Sequence, residues 1–460
     1  MAKAVVLGGG MAGMAAAHEL AERGFEVVVL ERRRAAGGKA RSIFGAPHSM
    51  GPGAERYLES TIPYAPGEHG FRFFPGFYKH VVDSMRRTPT AEGRTVADAL
   101  VGTTRVGISQ YAHPMFELPA RFPRSPNDAL TVLENLLLAF SPVTGLGPED
   151  LAHFGARVWQ ILTSCPDRRL AEYETISWWA FIDADSRSEA YQKLLAQGIT
   201  RSLVAAKAKQ ASTRTIGNIF IQLLLDILDP LIGTTDRVLD GPTTDVWIDP
   251  WRRWIESLGG DYRTGVEVTK IHCDRGRITG VVAERDGRAE LIEGDYYVCA
   301  LPVERAAPLI TDEIIAADPS LGALRALSDN VEWMNGIQFY LFRDVPMVRG
   351  HVIHIDTQWA LTSISQVQFW RPDMLERYIG DVEFDGVLSV DASDWDTVGF
   401  NGRSGEECTP EEVAAEVWEQ LKRSTNTGDD VVLAADNLAG WFLDPGITAD
   451  PARAGRLLNL

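Results

Sequence analysis

The sequence predicts an α/β fold in which a Rossmann-like dinucleotide-binding domain carries a large helical insertion and a strand-rich substrate domain. Three observations predict it. The chain opens on a complete βαβ unit with glycines in GxGxxG spacing, its middle shows mostly helical periodicity, and strand and turn signals return after residue 260.

Composition sets the frame. At 460 residues the chain is too long for one simple core and suggests two or three domains. Cys165, Cys273, Cys299 and Cys408 are far apart, with no CxxC and no His at ligand spacing, so they read as reduced thiols and no metal site is expected. A formal charge of −18 argues against nucleic acid as a partner and against electrostatic docking on an anionic membrane. The longest apolar run, Ile216–Leu228, falls short of the ~18 residues of a spanning helix and is broken by Asn218, Gln222 and Asp226. The start, "MAKAVVLGGG", reads as a buried strand and not as a signal peptide, so the expected location is the cytoplasm.

The N-terminal unit is written in order. Ala4–Leu7 is a short apolar strand, of the continuous kind expected where both faces are covered. Gly8 permits a tight turn, Gly10 lets the backbone approach a pyrophosphate, and Gly13 lets a helix pack on the strand. Ala16, Ala17, Leu20 and Ala21 make one helical face, and Gly24 suits the helix end. "FEVVVL" is the second strand, with Glu31 at its tip, where a carboxylate accepts ribose hydroxyls. The unpaired N–H groups at the helix start suit phosphate oxygens.

The next residues separate FAD from NAD. "ERRRAAGGKARS" continues past the ribose site with glycines and cations, as an FAD held in an extended form requires. Here the sequence resembles the FAD-dependent amine oxidase and phytoene desaturase superfamily, whose fingerprint is GxGxxG, a terminal Glu, then GG with a following Arg and Ser. The resemblance implies a glutathione reductase-like FAD domain and assigns Arg32, Gly37, Gly38, Lys39, Arg41 and Ser42 to the cofactor, Arg41 to a phosphate.

Relatives in that superfamily place a glycine-rich segment with an Arg or His against the flavin ring, and "GEHGFRFFPGFYKHV" (67–81) is similar in position and residue type. On that resemblance Gly67 and Gly70 let the backbone lie flat on the ring, Gly70, Phe71 and Arg72 face it, and His69 and Arg72 are the catalytic candidates. Phe71, Phe73, Phe74, Phe77 and Tyr78 read either as core or as the wall of an apolar substrate tunnel.

After Tyr78 the pattern is mostly helical to about residue 260, including 126–140 and the runs from 147 and from 200. "WWAFI" (178–182) reads as core, and Lys207 and Lys209 as solvated helix residues. Residues 261–302 alternate four short strand runs with turns at Gly265, Asp274–Gly276 and Asp286–Gly287. By resemblance this stretch completes the FAD domain, with Val268 bracketing adenine and "CALP" (299–302) ending a central strand. Residues 334–370 read as a second strand-rich layer. "TPEEVAAEVWEQLKRS" (409–424) reads as a capped amphipathic helix, with Thr409 as N-cap, Pro410 at N1 and Glu412 at N3. The expected domains are therefore 1–80 and 261–310 for FAD, 81–260 for the helical insertion and 311–460 for the strand-rich part.

The resemblance covers most of the chain and is nearest to the phytoene desaturase and hydroxysqualene dehydroxylase side. It implies an FAD-dependent oxidoreductase of desaturase or dehydrogenase type, moving hydride from a bulky apolar, isoprenoid or specialised-metabolite substrate. An amine or amino-acid oxidase of the same fold is the alternative, and a non-catalytic flavoprotein subunit a further one. Members close the FAD site with a strand, a turn resembling "AGD" and a glycine-rich helix. Here "AGW" (439–441) lacks the acid and no such helix follows, so a second polypeptide completing the site, in a heteromer, is expected.

Overall fold

A computed structural model describes the chain except residues 45–47, 50–65, 92, 121–144, 229–233, 235, 332–333, 380–383, 429, 445, 451–455 and 460. The helix expected over 126–140 lies outside the described residues. Two compact units emerge: residues 1–42, 78–100 and 239–332 form one, and residues 43–77, 101–238 and 333–460 the other.

In the first unit the Lys3–Leu7 strand leads into the Met11–Glu22 helix and the Glu26–Glu31 strand, as the sequence predicts. Four parallel strands lie in the order Asp261–Thr264, Glu26–Glu31, Lys3–Leu7, Tyr296–Cys299. Tyr296–Cys299 therefore stands at the edge of the described sheet and not at its centre, where "CALP" was expected to end a strand. The buried strand residues alternate in the two directions that parallel pleating dictates. Val5, Leu7, Val28 and Leu30 pack with Val266, Ile271, Val281, Ile310 and Ile314. Each such side chain contributes about 1.5–3 kcal/mol when fully buried. An antiparallel three-stranded sheet, Glu267–Asp274, Arg277–Arg285 and Arg288–Ile292, supplies part of that core. Its turns fall at the predicted positions, with positive φ at Arg275, Gly276, Asp286 and Gly287.

The second unit is built on an eight-stranded sheet among the described residues. Its order is His48–Ser49, Leu438–Leu443, Asn335–Leu341, Gly386–Ala392, Leu361–Ser365, Val352–His354, Arg105–Gln110, His113–Pro119. The period-2 alternation of strands gives this sheet two unlike faces. Ile337, Phe339, Leu388, Val390 and Trp441 pack with Val413, Val417, Trp418 and Leu421 of the Pro410–Thr425 helix. That helix begins as predicted: the Thr409 hydroxyl accepts from the Glu412 N–H, and the Glu412 carboxylate accepts from the Thr409 N–H. The alternate residues, Gly336, Gln338, Ser389 and Asp391, point the other way. A separate helical cluster buries Trp178, Trp179, Phe181 and Ile182 with Tyr173, Tyr191 and Ile216, so "WWAFI" is core. Lys207 meets Asp396 at 2.6 Å, and Lys209 lies 4.7 Å from the Trp179 ring centre.

The division along the chain differs from the expected domain boundaries. Residues 239–260 and 311–331 belong with the dinucleotide unit, 43–77 with the other, and the segment expected to be helical contains the Arg105–Gln110 and His113–Pro119 strands. The chain passes between units several times, whereas a linear reading assigns each stretch to its sequence neighbours. "AGW" is not a turn: Gly440 pairs with Tyr340 and Trp441 with Phe339 inside a buried strand, so its lack of an acid follows from burial. No helix among the described residues is long and apolar enough to cross a membrane.

Candidate functional site

In the first unit the glycine loop is fixed by its own backbone. Gly8 has φ +101°, and a Cβ at Gly13 would lie 1.8 Å from the Gly8 carbonyl oxygen, so only glycine lets the helix approach the strand. Gly9, between the motif positions, is required by a residue the sequence reading missed. The Tyr262 hydroxyl donates to the Gly9 carbonyl at 2.6 Å, and a Cβ at Gly9 would lie 2.3 Å from that hydroxyl. Burial, then the Glu31 charge, raises the Tyr262 pKa and keeps it a donor. No local pattern signals this contact, because Tyr262 is 253 residues away.

Gly10 behaves differently. Its φ of −80° and ψ of −169° are open to any residue, and the nearest protein atom to an added Cβ is the Gly38 Cα at 3.8 Å. Gly10 also caps the Met11–Glu22 helix without a side-chain bond, and the first turn has no acidic residue. Free N–H groups and the positive end of the dipole are thus left for an anion. Gly37 stands beside this loop in a parallel bridge to Gly10, its N–H donating to the Gly9 carbonyl at 2.9 Å.

Glu31 is buried at the end of its strand. One carboxylate oxygen accepts from the Gly9 N–H and the other from the Arg33 N–H, both at 2.8 Å. An ionised carboxylate has about four acceptor sites, and these bonds take two of them. Arg41 is buried, and its guanidinium donates to the Gly38 carbonyl at 2.6 Å, which ties the cation to the glycine pair. The Ser42 hydroxyl accepts from the Thr244 N–H while the Ser42 N–H donates to the Thr244 hydroxyl. That clasp makes Ser42 a loop fastener. Arg32 and Lys39 are exposed, and Val268 packs on the core of the same unit. The described residues thus present a cradle suited to a dinucleotide diphosphate: a helix start, two glycine loops, a terminal carboxylate and a buried cation.

In the second unit the 66–74 segment lies on the polar face of the sheet. The Glu68 N–H donates to Gln338, whose amide donates to Ser389, and the Tyr340 hydroxyl donates to the Pro66 carbonyl. A Cβ at Gly67 would lie 2.4 Å from the Phe442 ring, and one at Gly70, where φ is +73°, would lie 1.8 Å from an Asp391 oxygen. Protein atoms thus suffice to require glycine at these two positions. Of the aromatics only Phe74 is buried; Phe71, Phe73 and Phe77 are half-buried and Tyr78 is exposed.

The candidates His69 and Arg72 come together here with acids the sequence reading missed. His69 Nδ1 lies 3.4 Å from Asp444 Oδ2, and its Nε2 lies 3.2 Å from the Met334 carbonyl. Arg72 donates to the carbonyls of His69 and Phe71. Burial pushes the Asp391 carboxyl up to about 7, against the charges of Arg72 and His351 and the Phe71 N–H. Asp391 sits on the Gly386–Ala392 strand and Asp444 just past the Leu438–Leu443 strand, far along the chain, and no spacing rule links them to residue 70.

The fold of the first unit and its cradle are those of a Rossmann-like dinucleotide-binding domain. Residues 6–87 match the family described as NAD(P)-binding Rossmann-like domain. No curated protein matches. Among solved structures, an oxidoreductase from Methanosarcina mazei is 14% identical with TM-score 0.58, over 96% of this chain and 87% of that one. Cyclohexylamine oxidase from Brevibacterium oxydans is 14% identical with TM-score 0.56, over 96% and 84%. Putrescine oxidase bound to putrescine is 13% identical with TM-score 0.53, over 96% and 84%. The chain shares their fold.

Proposed function

We propose that the protein is an FAD-dependent oxidoreductase that removes hydride from a bulky, largely apolar substrate. One observation carries the cofactor: Gly10 is a glycine that no atom of the described residues requires, at a helix start without a side-chain cap. Its small size is explained by a ligand approaching the backbone. The Met11–Glu22 helix start and Arg41 hold the diphosphate, Glu31 the ribose and Val268 the adenine. When bound, the flavin accepts the hydride. On their resemblance in residue type, His69, Gly70, Phe71 and Arg72 are assigned to the reacting end, with Phe71, Phe73 and Phe77 offering apolar surface. Gly10→Ala tests the reading. It should leave the denaturation midpoint within about 0.5 kcal/mol of wild type while FAD affinity falls at least tenfold; unchanged affinity would overturn it. Retention of the visible flavin bands is compared for the chain alone and co-expressed with its neighbouring reading frame. Flavin kept only on co-expression would assign the closing residues to a partner.

Amine oxidation is the second reading, favoured by a specific observation. The 66–74 segment carries Glu68, and Asp391 and Asp444 lie beside it at Gly70 and His69, buried acids of a kind suited to an ammonium group. The names of the putrescine and cyclohexylamine oxidases point the same way. Peroxide release with amines, set against redox assays with polyenes, separates the two.

A further inference from the structure

His351 and Asp236 meet in the second unit, 115 positions apart in sequence. The His351 Nδ1 lies 2.6 Å from Asp236 Oδ2, and both side chains are more than nine-tenths buried. The other ring nitrogen, Nε2, is buried and has no hydrogen-bond partner among the described residues. Phe71 and Phe73 touch the imidazole, their ring centres 4.7 and 5.5 Å from it. His354, three residues on, makes the contrast. Its two nitrogens are both taken, by the hydroxyls of Ser424 and Ser363 at 2.8 Å, so it is a closed structural group.

A buried polar atom without a partner is costly, and one that a fold retains calls for an explanation. A carboxylate 2.6 Å from Nδ1 favours by its charge the tautomer with the proton on that nitrogen, which leaves Nε2 as the basic lone pair. The phenyl rings place that lone pair beside apolar surface, where a hydrogen bond is stronger than in water.

We propose that His351, oriented by Asp236, is the residue that accepts a proton from an O–H or N–H group of the substrate in the oxidation proposed above. The X–H bond breaks, the proton goes to Nε2, and the electron pair stays on X. The pair gains no electrons in this step. Asp236 offsets the charge of the imidazolium, and the Asp391 carboxyl feels the charges of both His351 and Arg72. The inference rests on the oxidoreductase reading and adds to it one donor group on an otherwise apolar substrate.

The test uses the full chain loaded with FAD and labelled with nitrogen-15 histidine, the His351 signals being assigned by their loss in His351→Gln. Wild type should show a pyridine-type Nε2 and a pyrrole-type Nδ1. Cyclohexanol or cyclohexylamine should shift the Nε2 signal, and cyclohexane should not. Asp236→Asn should weaken the effect of the effective probe about tenfold. A proton on Nε2 in wild type, or an Nε2 signal that neither donor probe moves, would overturn the proposal. FAD content is read on the same samples. A His351→Gln variant that keeps its flavin shows that the proton site can fail while the cofactor reading stands, and a wild type that takes up no FAD fails that reading whatever the imidazole shows.

Discussion

Two glycine-rich stretches, 8–13 in the first unit and 67–70 in the second, look alike as sequence and differ in what demands their glycines. At Gly13 the demand is local, since the carbonyl of Gly8 stands 1.8 Å from the Cβ position. At Gly67 and Gly70 it comes from Phe442 and Asp391, side chains more than 300 residues away. A motif whose partners lie within a few residues carries its reason in its spacing. A motif whose partners are distant strands shows only that something close by is large. Gly10 stands apart from both, because the nearest atom of the described residues to its Cβ position is 3.8 Å away.

The largest expected effect is at the local site. Gly13→Val drives a branched side chain into backbone that cannot move without separating helix from strand. The first unit should fail to fold, with loss of soluble protein or at least about 4 kcal/mol of stability. A stable, soluble variant would break the claim that backbone approach sets this position.

Gly70→Ala sharpens the other half. The added Cβ meets the Asp391 carboxylate, and the positive φ costs roughly 1 kcal/mol more for an L side chain. A loss of about 3 kcal/mol in the denaturant midpoint is expected. Asp391→Ala in the same chain should return all but the φ cost, a coupling of more than about 1 kcal/mol in a double-mutant cycle. Strict additivity would mean that Asp391 is not what Gly70 makes room for.

The two faces of the eight-stranded sheet carry opposite pH dependences. Burial holds His354 down to about 3, so the folded state stays neutral where the unfolded chain, titrating near 6.5, binds a proton. Its stabilisation is present above pH 6.5 and is lost as pH falls from there towards 3. Asp391, pushed up to about 7 by burial, keeps a proton that the unfolded chain has released above about pH 4. Its contribution is full below pH 4 and is lost as pH rises through 7. Asp391→Asn should therefore remove the loss of stability between pH 4 and 7 and be the more stable protein at pH 8, by about 1–3 kcal/mol on the ~1.4 kcal/mol that each tenfold change in proton affinity represents. Urea midpoints across that range check it. A variant that keeps the wild-type slope would place the proton elsewhere.

The contrast also explains what the sequence made legible. The βαβ unit, the turns at 275–276 and 286–287 and the cap at Thr409 are readable because each is completed within about 30 residues by rules of backbone geometry. So is the Glu31 position, fixed by strand length. Tyr262 behind Gly9, the Ser42–Thr244 clasp, and Asp236, His351, Asp391 and Asp444 were not readable. Each depends on which distant strands become neighbours, and hydrophobic periodicity says which face is buried without saying against what. The unit boundaries failed to show for the same reason, since distant partners set which unit each stretch joins.

The smallest effect belongs to a wholly local device. Thr409 accepts from the Glu412 N–H at 3.2 Å, and Glu412 accepts in return from the Thr409 N–H at 2.9 Å, at the start of the Pro410–Thr425 helix. Thr409→Ala leaves one orphan donor to water and should cost about 1 kcal/mol. Glu412→Ala removes the reciprocal bond and the Arg403 ion pair at 2.8 Å, but that pair is exposed and contributes at most about 0.5 kcal/mol. The double variant should cost less than the sum of the singles, because each half of the box positions the other. The two halves of the cap lie within three residues and Arg403 is exposed, so neither change should alter the pH slope set by His354 and Asp391. Urea midpoints at pH 5 and pH 8 decide it: a Thr409→Ala penalty that differs between them by more than about 0.5 kcal/mol would show that this cap is coupled to the buried groups of the sheet, and that local and distant demands are not separable in this unit.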